Sequence, residues 1–306
     1  MISTYNEWDP LCSIVVGDIL GANWPHNDPV FAREMAASTW TESAPPQGPV
    51  PAPIIEQTNL DLHHLINSLV QHGVEVTRPQ PMDFVKDEGL YNYCPRDRLL
   101  VWGDTIVDCA RMYPCRDQEV ANYPHVLAQA GRVLTMPRDQ GMILDAANVM
   151  RLNDTWLFLE SASGNRAAYN WLCDNFPDVK IELCNFYAGV HIDSSITPLR
   201  EGLVLLNGSR IDDSNCPRAF DRWEKIYITD VVPQSFYQFP YASKWIAMNM
   251  LVVDPNTVIV DAAQDQLIQL LLSRNFSVIP LTLTHSRTLG GGFHCVTLDL
   301  IRSSDK

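Results

Sequence analysis

Short apolar runs broken by two-residue polar turns recur along this chain at a nearly constant interval. Arg98 to Asp108 is split at Gly103-Asp104, Val149 to Glu160 at Asn153-Asp154, a third stretch near Arg200-Glu201-Gly202, and a fourth at Asp254-Pro255-Asn256. Turn residues between β-branched or aromatic runs predict hairpins. Asn165 to Phe176 and Ala262 to Arg274 instead space their apolar residues for one face of a helix. A further short strand is predicted after each helix: Val74 to Thr77, Val133 to Met136, Val179 to Cys184, Ile226 to Ile228 and Ser277 to Leu283. Each hairpin is preceded by a polar step, and these steps advance from 97 to 145 to 191 to 244 to 295, intervals of 48, 46, 53 and 51 residues. Units of this size cannot bury a core alone and must associate with their neighbours. A closed ring of α/β units does so and places the matching polar starts around one axis. An open doubly wound sheet would need strand-helix alternation without the hairpins.

The first unit differs. A strand near Ser13 to Gly17 and a helix near Gln57 to Gln71 are separated by Ser43 to Pro53, which holds five prolines. Proline removes backbone donors and favours extended structure, so this segment is expected as a stiff surface loop, with a lid over the ring as the alternative.

Composition narrows the class. With 306 residues, 46% of them hydrophobic, one enzyme-sized domain over 1–306 is expected. No apolar run is long enough for a membrane span, and the N-terminus lacks the features of a signal peptide, which predicts a cytoplasmic protein. A formal charge of −14 argues against a nucleic-acid partner, because phosphate binding needs clustered cations. The eight cysteines show no CxxC pair or zinc-ligand spacing and are expected as free thiols. One stands apart: Gly290-Gly291-Gly292-Phe293-His294 delivers Cys295 to the start of the last apolar strand, Val296 to Ile301. The glycines lead into a strand and not a helix, so they form no phosphate cradle.

Taken in order, Asn6-Glu7-Trp8-Asp9-Pro10-Leu11, Pro95-Arg96-Asp97, Asp145-Ala146-Ala147, His191-Ile192-Asp193, Ser243-Lys244-Trp245 and Gly290 to Cys295 resemble the arginine:glycine amidinotransferases of the pentein superfamily. The resemblance runs from Asn6 to Arg302. It implies a five-bladed, pseudo-fivefold α/β propeller of ββαβ units with a central active site, in agreement with the repeat. It also implies a homodimer, and transfer of the amidino group of L-arginine to an amine through an amidino-cysteine, with release of L-ornithine.

The residue types suit that chemistry. A guanidinium carbon is a poor electrophile, and a thiolate at Cys295 supplies a soft nucleophile. His191 titrates in the range needed to protonate the departing amine and later deprotonate the incoming one, with Asp145 holding its other nitrogen. Asp97 and Asp193 occupy matching repeat positions and can clamp a guanidinium by charge-assisted hydrogen bonds. Arg210 matches the arginine that binds the substrate carboxylate in the resembling family, and Ser243 matches its substrate-contacting serine. No metal, nucleotide or organic cofactor is called for. Each residue has a plainer alternative: an inert thiol for Cys295, ion pairs with Arg96 and Arg98 for Asp97, a cap for Asp145, a core imidazole for His191, turn chemistry for Asp193 and Ser243, a surface cation for Arg210. His294, if its segment is extended, points away from Cys295 and is structural.

The sequence departs from the resembling enzymes at Asn148, at Ala242 and over Tyr187-Ala188-Gly189-Val190. These small residues beside His191 leave space for an acceptor larger than glycine, unless Tyr187 or the proline-rich loop fills it. An arginine deiminase-like hydrolase and a non-catalytic arginine-binding relative remain alternatives.

Overall fold

The computed structural model describes residues 1–37 and 41–303. Its described strands include five three-stranded sheets, each with one antiparallel and one parallel pairing. Four come from consecutive stretches of chain, and their hairpin turns fall at the polar breaks in the sequence. Leu99–Trp102 turns into Thr105–Asp108 through Gly103-Asp104, and Val149–Leu152 into Thr155–Leu159 through Asn153-Asp154. Gly103 and Asn153 have φ of 56° and 63°, the left-handed backbone that tight hairpin turns require. Ile196–Arg200 pairs with Leu203–Asn207, and Leu251–Asp254 with Thr257–Asp261, in the same way. The third strands, Arg132–Thr135, Lys180–Cys184, Glu224–Ile228 and Ser277–Leu281, each add parallel to the second strand of their own unit.

The remaining sheet closes the ring. Thr297–Arg302 from the end of the chain lies antiparallel to Leu11–Val16, which pairs parallel with Glu75–Thr77. One sheet is thus shared between the two ends of the chain, as expected for a circular arrangement of five units.

The connecting helices are unequal. Ala52–Gln71, Arg166–Asn175 and Asp265–Ser273 are α-helices, and each turns buried leucines inward, such as Leu62, Leu65 and Leu69 in the first. In the second unit the crossover is a 3-10 stretch, Pro114–Asn122, followed by the short helix Pro124–Leu127, each opened by proline. In the fourth, only a 3-10 turn, Arg218–Phe220, bridges Asn207 and Glu224. Pro217 and the run Asp212-Asp213-Ser214-Asn215 favour turns over helix there.

The proline-rich segment ends earlier than expected, since the helix starts at Ala52 with Pro51 as its cap. Gly48 and Pro49 form a two-residue ladder with Trp24 and Asn23, and the Tyr241 hydroxyl donates to the Pro46 carbonyl at 3.5 Å. An additional helix, Pro29–Ala36, precedes this segment. The Asp28 carboxylate caps it by accepting from the Val30 and Phe31 amides, both at 2.9 Å.

A buried ionic network joins three units to the N-terminal segment. Arg151 meets Glu7 at 2.8 Å and Asp299 at 3.1 Å, Arg302 meets Asp299 at 2.7 Å, and Arg96 pairs with both acids. Among the described residues, no helix is long and apolar enough to cross a membrane.

Candidate active site

The polar steps that open each hairpin fold into single helical turns at one end of the ring. Asp97 lies in the turn Pro95–Arg98, and Asp145, His191 and Ser243 are the N-terminal caps of Ala146–Asn148, Ile192–Ser194 and Lys244–Met248. Together with Cys295 they line one cleft of about 230 Å³. His191 reaches it with φ 59° and ψ 130°, a backbone conformation unfavourable for a side chain with a Cβ. Such strain costs about 1–3 kcal/mol and persists only where the surroundings enforce it.

His191 is held between two carboxylates. Its Nε2 lies 3.0 Å from Asp145 Oδ2 and its Nδ1 3.6 Å from Asp97 Oδ1. Burial disfavours the imidazolium, but the charge of Asp97 and the hydrogen bond and charge of Asp145 outweigh it and raise the pKa to about 9. Burial also opposes the charge on Asp145, yet Arg111 and His191 hold its carboxyl well below the usual range. Arg111 Nε approaches Asp145 Oδ1 to 2.8 Å, a charge contact without the alignment of a hydrogen bond.

Cys295 is buried, and its thiol donates to Asp193 Oδ2 at 3.4 Å. Burial, followed by the charges of Asp193, Cys94 and Asp97, pushes the thiol well above its ordinary pKa. The resting site therefore holds a thiol and an imidazolium. Asn249 positions Cys295 from behind by accepting its backbone N–H at 2.9 Å.

The alternative ion pairs for Asp97 do not form. Arg96 and Arg98 turn to Asp299 and Asp108, while Asp97 Oδ2 accepts from Arg116 at 2.8 Å. The other oxygen, Oδ1, is buried and accepts no hydrogen bond. Asp97, His191 and Cys295 each offer one donor atom, and the three lie within 4.8 Å of one another. This spacing would admit a metal ion, but an imidazolium has no lone pair to give one.

Arg210 sits at the edge of this group. Its Nη1 donates to the Ser194 and Ser195 hydroxyls at 2.9 and 2.7 Å, its Nη2 to Ser243 Oγ at 3.4 Å, and its guanidinium lies 3.7 Å from the Tyr187 ring centre. Burial lowers its pKa, and no carboxylate pairs with it among the described residues. The fold thus brings together all seven residues singled out in the sequence.

His294 departs from expectation. Phe293 to Val296 form a turn and not an extended strand, so His294 and Cys295 do not alternate between faces. His294 Nδ1 lies 2.8 Å from the same Asp193 oxygen that accepts from the thiol. The sequence reading also missed Arg111, Arg116 and Asn249, whose roles depend on long-range contacts. It missed the cleft wall from Pro29–Ala36 as well, which contributes Phe31, Glu34 and Met35, although Asn27-Asp28-Pro29 carries a helix-start signal.

No protein-family model matches the chain. In fold it is similar to DDAH from Pseudomonas aeruginosa, with a TM-score of 0.67 at 16% identity over 95% of this chain and 99% of that one. The architecture is the pentein fold of that group of proteins. The nearer similarities are to amidinotransferases. The chain is 38% identical to an inosamine-phosphate amidinotransferase of Streptomyces griseus, over 99% of its own length and 98% of that protein. A solved structure of an inosamine-phosphate amidinotransferase from that organism superposes with a TM-score of 0.92, covering 99% of this chain and 97% of the other. An L-arginine:L-lysine amidinotransferase of Pseudomonas savastanoi pv. phaseolicola is 26% identical over 98% of this chain and 94% of that protein. The chain belongs to the amidinotransferase family and is an enzyme that transfers amidino groups.

Proposed function

We propose that this amidinotransferase takes its amidino group from L-arginine, releases L-ornithine and passes the group to a primary amine larger than glycine. The observation that carries this reading is the unsatisfied Asp97 Oδ1 beside Cys295. A buried carboxylate oxygen that accepts no hydrogen bond is costly, and a guanidinium spanning Asp97 and Asp193 would supply its missing donors. The cation would also offset the carboxylates that keep Cys295 protonated.

In this reading the Cys295 thiol loses its proton to solvent as the guanidinium binds, the thiolate attacks the guanidinium carbon, and the bond to the ornithine nitrogen breaks as the His191 imidazolium protonates that nitrogen. Asp145 holds the imidazolium for that step. Arg210, reinforced by Ser243, receives the arginine carboxylate. The neutral imidazole then takes a proton from the incoming amine, whose nitrogen attacks the amidino carbon and displaces Cys295. Protein groups supply every proton and the nucleophile, so no cofactor enters the scheme.

The acceptor assignment draws on the cleft walls. Trp24, Phe31, Tyr91, Tyr113 and Tyr241 line the cleft along with Ala188, Gly189 and Val190, which suits an amine with a substantial body. The relatives named for inosamine phosphate and L-lysine use acceptors larger than glycine, in line with this reading. The test is to incubate the protein with L-arginine and a panel of amines and identify products by mass spectrometry. Ornithine and a guanidino product are expected, with the highest kcat/KM for an amine larger than glycine. Citrulline in place of a guanidino product, or a preference for glycine, would overturn the corresponding part of the reading.

A further inference from the structure

Among the described residues, Asp193 alone lines both the cleft and a small cavity of about 10 Å³, which is also lined by Glu7 and His294. The smaller cavity has room for about one water. His294 bridges the two acids, with Nδ1 at 2.8 Å from Asp193 Oδ2 and Nε2 at 3.3 Å from Glu7 Oε2. The Cys295 thiol donates to that same oxygen of Asp193. The charged groups facing His294 are Asp193 from the turn Ile192–Ser194, Glu7 from the N-terminal segment, and Arg96, whose Nε lies 3.2 Å from the His294 carbonyl.

We propose that His294 is a positioning residue for the thiol chemistry: clamped between Asp193 and Glu7, it fixes the Asp193 carboxylate beside Cys295 and offsets its charge, and so sets the pH at which the thiol ionises. Burial and Arg96 work against the imidazolium, but the hydrogen bonds to Asp193 and Glu7 prevail and raise its pKa. The same hydrogen bond holds Asp193 ionised against the effect of burial. Without the imidazolium, Asp193 would present an uncompensated negative charge to the sulfur and disfavour the thiolate.

The inference rests on the reading of Cys295 as nucleophile. Its test compares wild type with His294→Asn, whose amide nitrogen can replace Nδ1 as donor to Asp193 without carrying charge. Two profiles are measured against pH: alkylation of Cys295 by iodoacetamide without arginine, and single-turnover ornithine release at saturating arginine. Both are expected to move at least one pH unit upward in the variant, with release at pH 7 at least tenfold slower. A uniform loss at every pH, or profiles that coincide with wild type, would overturn the proposal.

Should His294→Asn fail to fold, histidine-labelled wild type carries the test by nitrogen-15 NMR. The His294 signals, identified as those that persist when each of the other seven histidines is replaced in turn, are expected to show both ring protons and to titrate above the ordinary 6.5; a neutral His294 at pH 6 overturns the proposal. If wild type forms no amidino adduct on Cys295, the functional reading fails instead, and the alkylation profiles still decide the role of His294.

Discussion

Cys295 lies beside two carboxylates that oppose its ionisation, so in the proposed reading arrival of a cationic substrate is the event that activates it. Cys295→Ser is expected to abolish turnover while keeping the fold, because the volume changes little and a hydroxyl is a far weaker nucleophile at neutral pH. With arginine and no acceptor, the wild-type peptide containing Cys295 should gain the mass of an amidino group; an adduct on another cysteine would defeat the assignment. Asp97→Asn and Asp193→Asn retain shape but remove the charge proposed to hold the guanidinium. Each should lose about 1.5–3 kcal/mol of binding or transition-state stabilisation, seen as at least a tenfold fall in kcat/KM for arginine. Near wild-type arginine kinetics would make that carboxylate structural. The pH dependence has a definite sign. In the proposed mechanism His191 must be protonated to release ornithine, and its pKa is raised to about 9, so single-turnover release should persist through neutral pH and fall as pH rises through that value. A fall centred near the ordinary histidine value would show that Asp97 and Asp145 do not hold the charge.

At the scale of elements, the loop from Tyr187 to His191 links the proposed donor and acceptor regions. A Cβ on Gly189 would lie 2.4 Å from the Tyr187 ring, which packs against Arg210. If the small residues beside His191 only opened acceptor space, Gly189→Leu would narrow that region and spare the donor half-reaction. In the fold the new side chain must push Tyr187 away from Arg210, so ornithine release in a single turnover should also slow. Ala188 lines the cleft and is exposed, which makes Ala188→Leu the cleaner probe. It should lower kcat/KM for a large amine several-fold and leave ornithine release nearly unchanged; an equal loss in both half-reactions would remove Ala188 from the acceptor region. Tyr187 thus occupies part of the space that the small residues beside His191 suggested was open.

For the whole molecule, ring closure and the buried ionic network hold the site residues at one end of the ring. Arg151 is buried and binds Glu7 through two nitrogens while reaching Asp299. Arg151→Leu would leave Glu7 buried with less compensation, and loss of one partner from such a network typically destabilises by about 3–5 kcal/mol. Chemical denaturation should show a lower midpoint at an unchanged slope. Because Glu7 also contacts His294, donor activity should fall along with stability. An unchanged midpoint would mean that the network does not hold the units together.

By itself the sequence determined the repeat, the hairpin turns and the positions from which Asp97, Asp145, His191, Ser243 and Cys295 emerge. These follow from local chemistry: Gly103-Asp104 and Asn153-Asp154 supply turn backbone, apolar runs supply strands, and the polar starts keep a nearly fixed interval. The repeat also marked Asp193, and family resemblance added the substrate-binding roles of Arg210 and Ser243. Tertiary structure decided what could not be local. Asp97 turns to Arg116 and not to its chain neighbours because the latter are drawn to Asp299 and Asp108. Asn249 reaches Cys295 from 46 residues away and Glu7 reaches His294 from 287. The direction of His294 followed from a turn where a strand was expected, and the first strand has its antiparallel partner in the last one, which returns to close the ring. Sequence period constrains where side chains start, but long-range packing and charge pairing decide where they end.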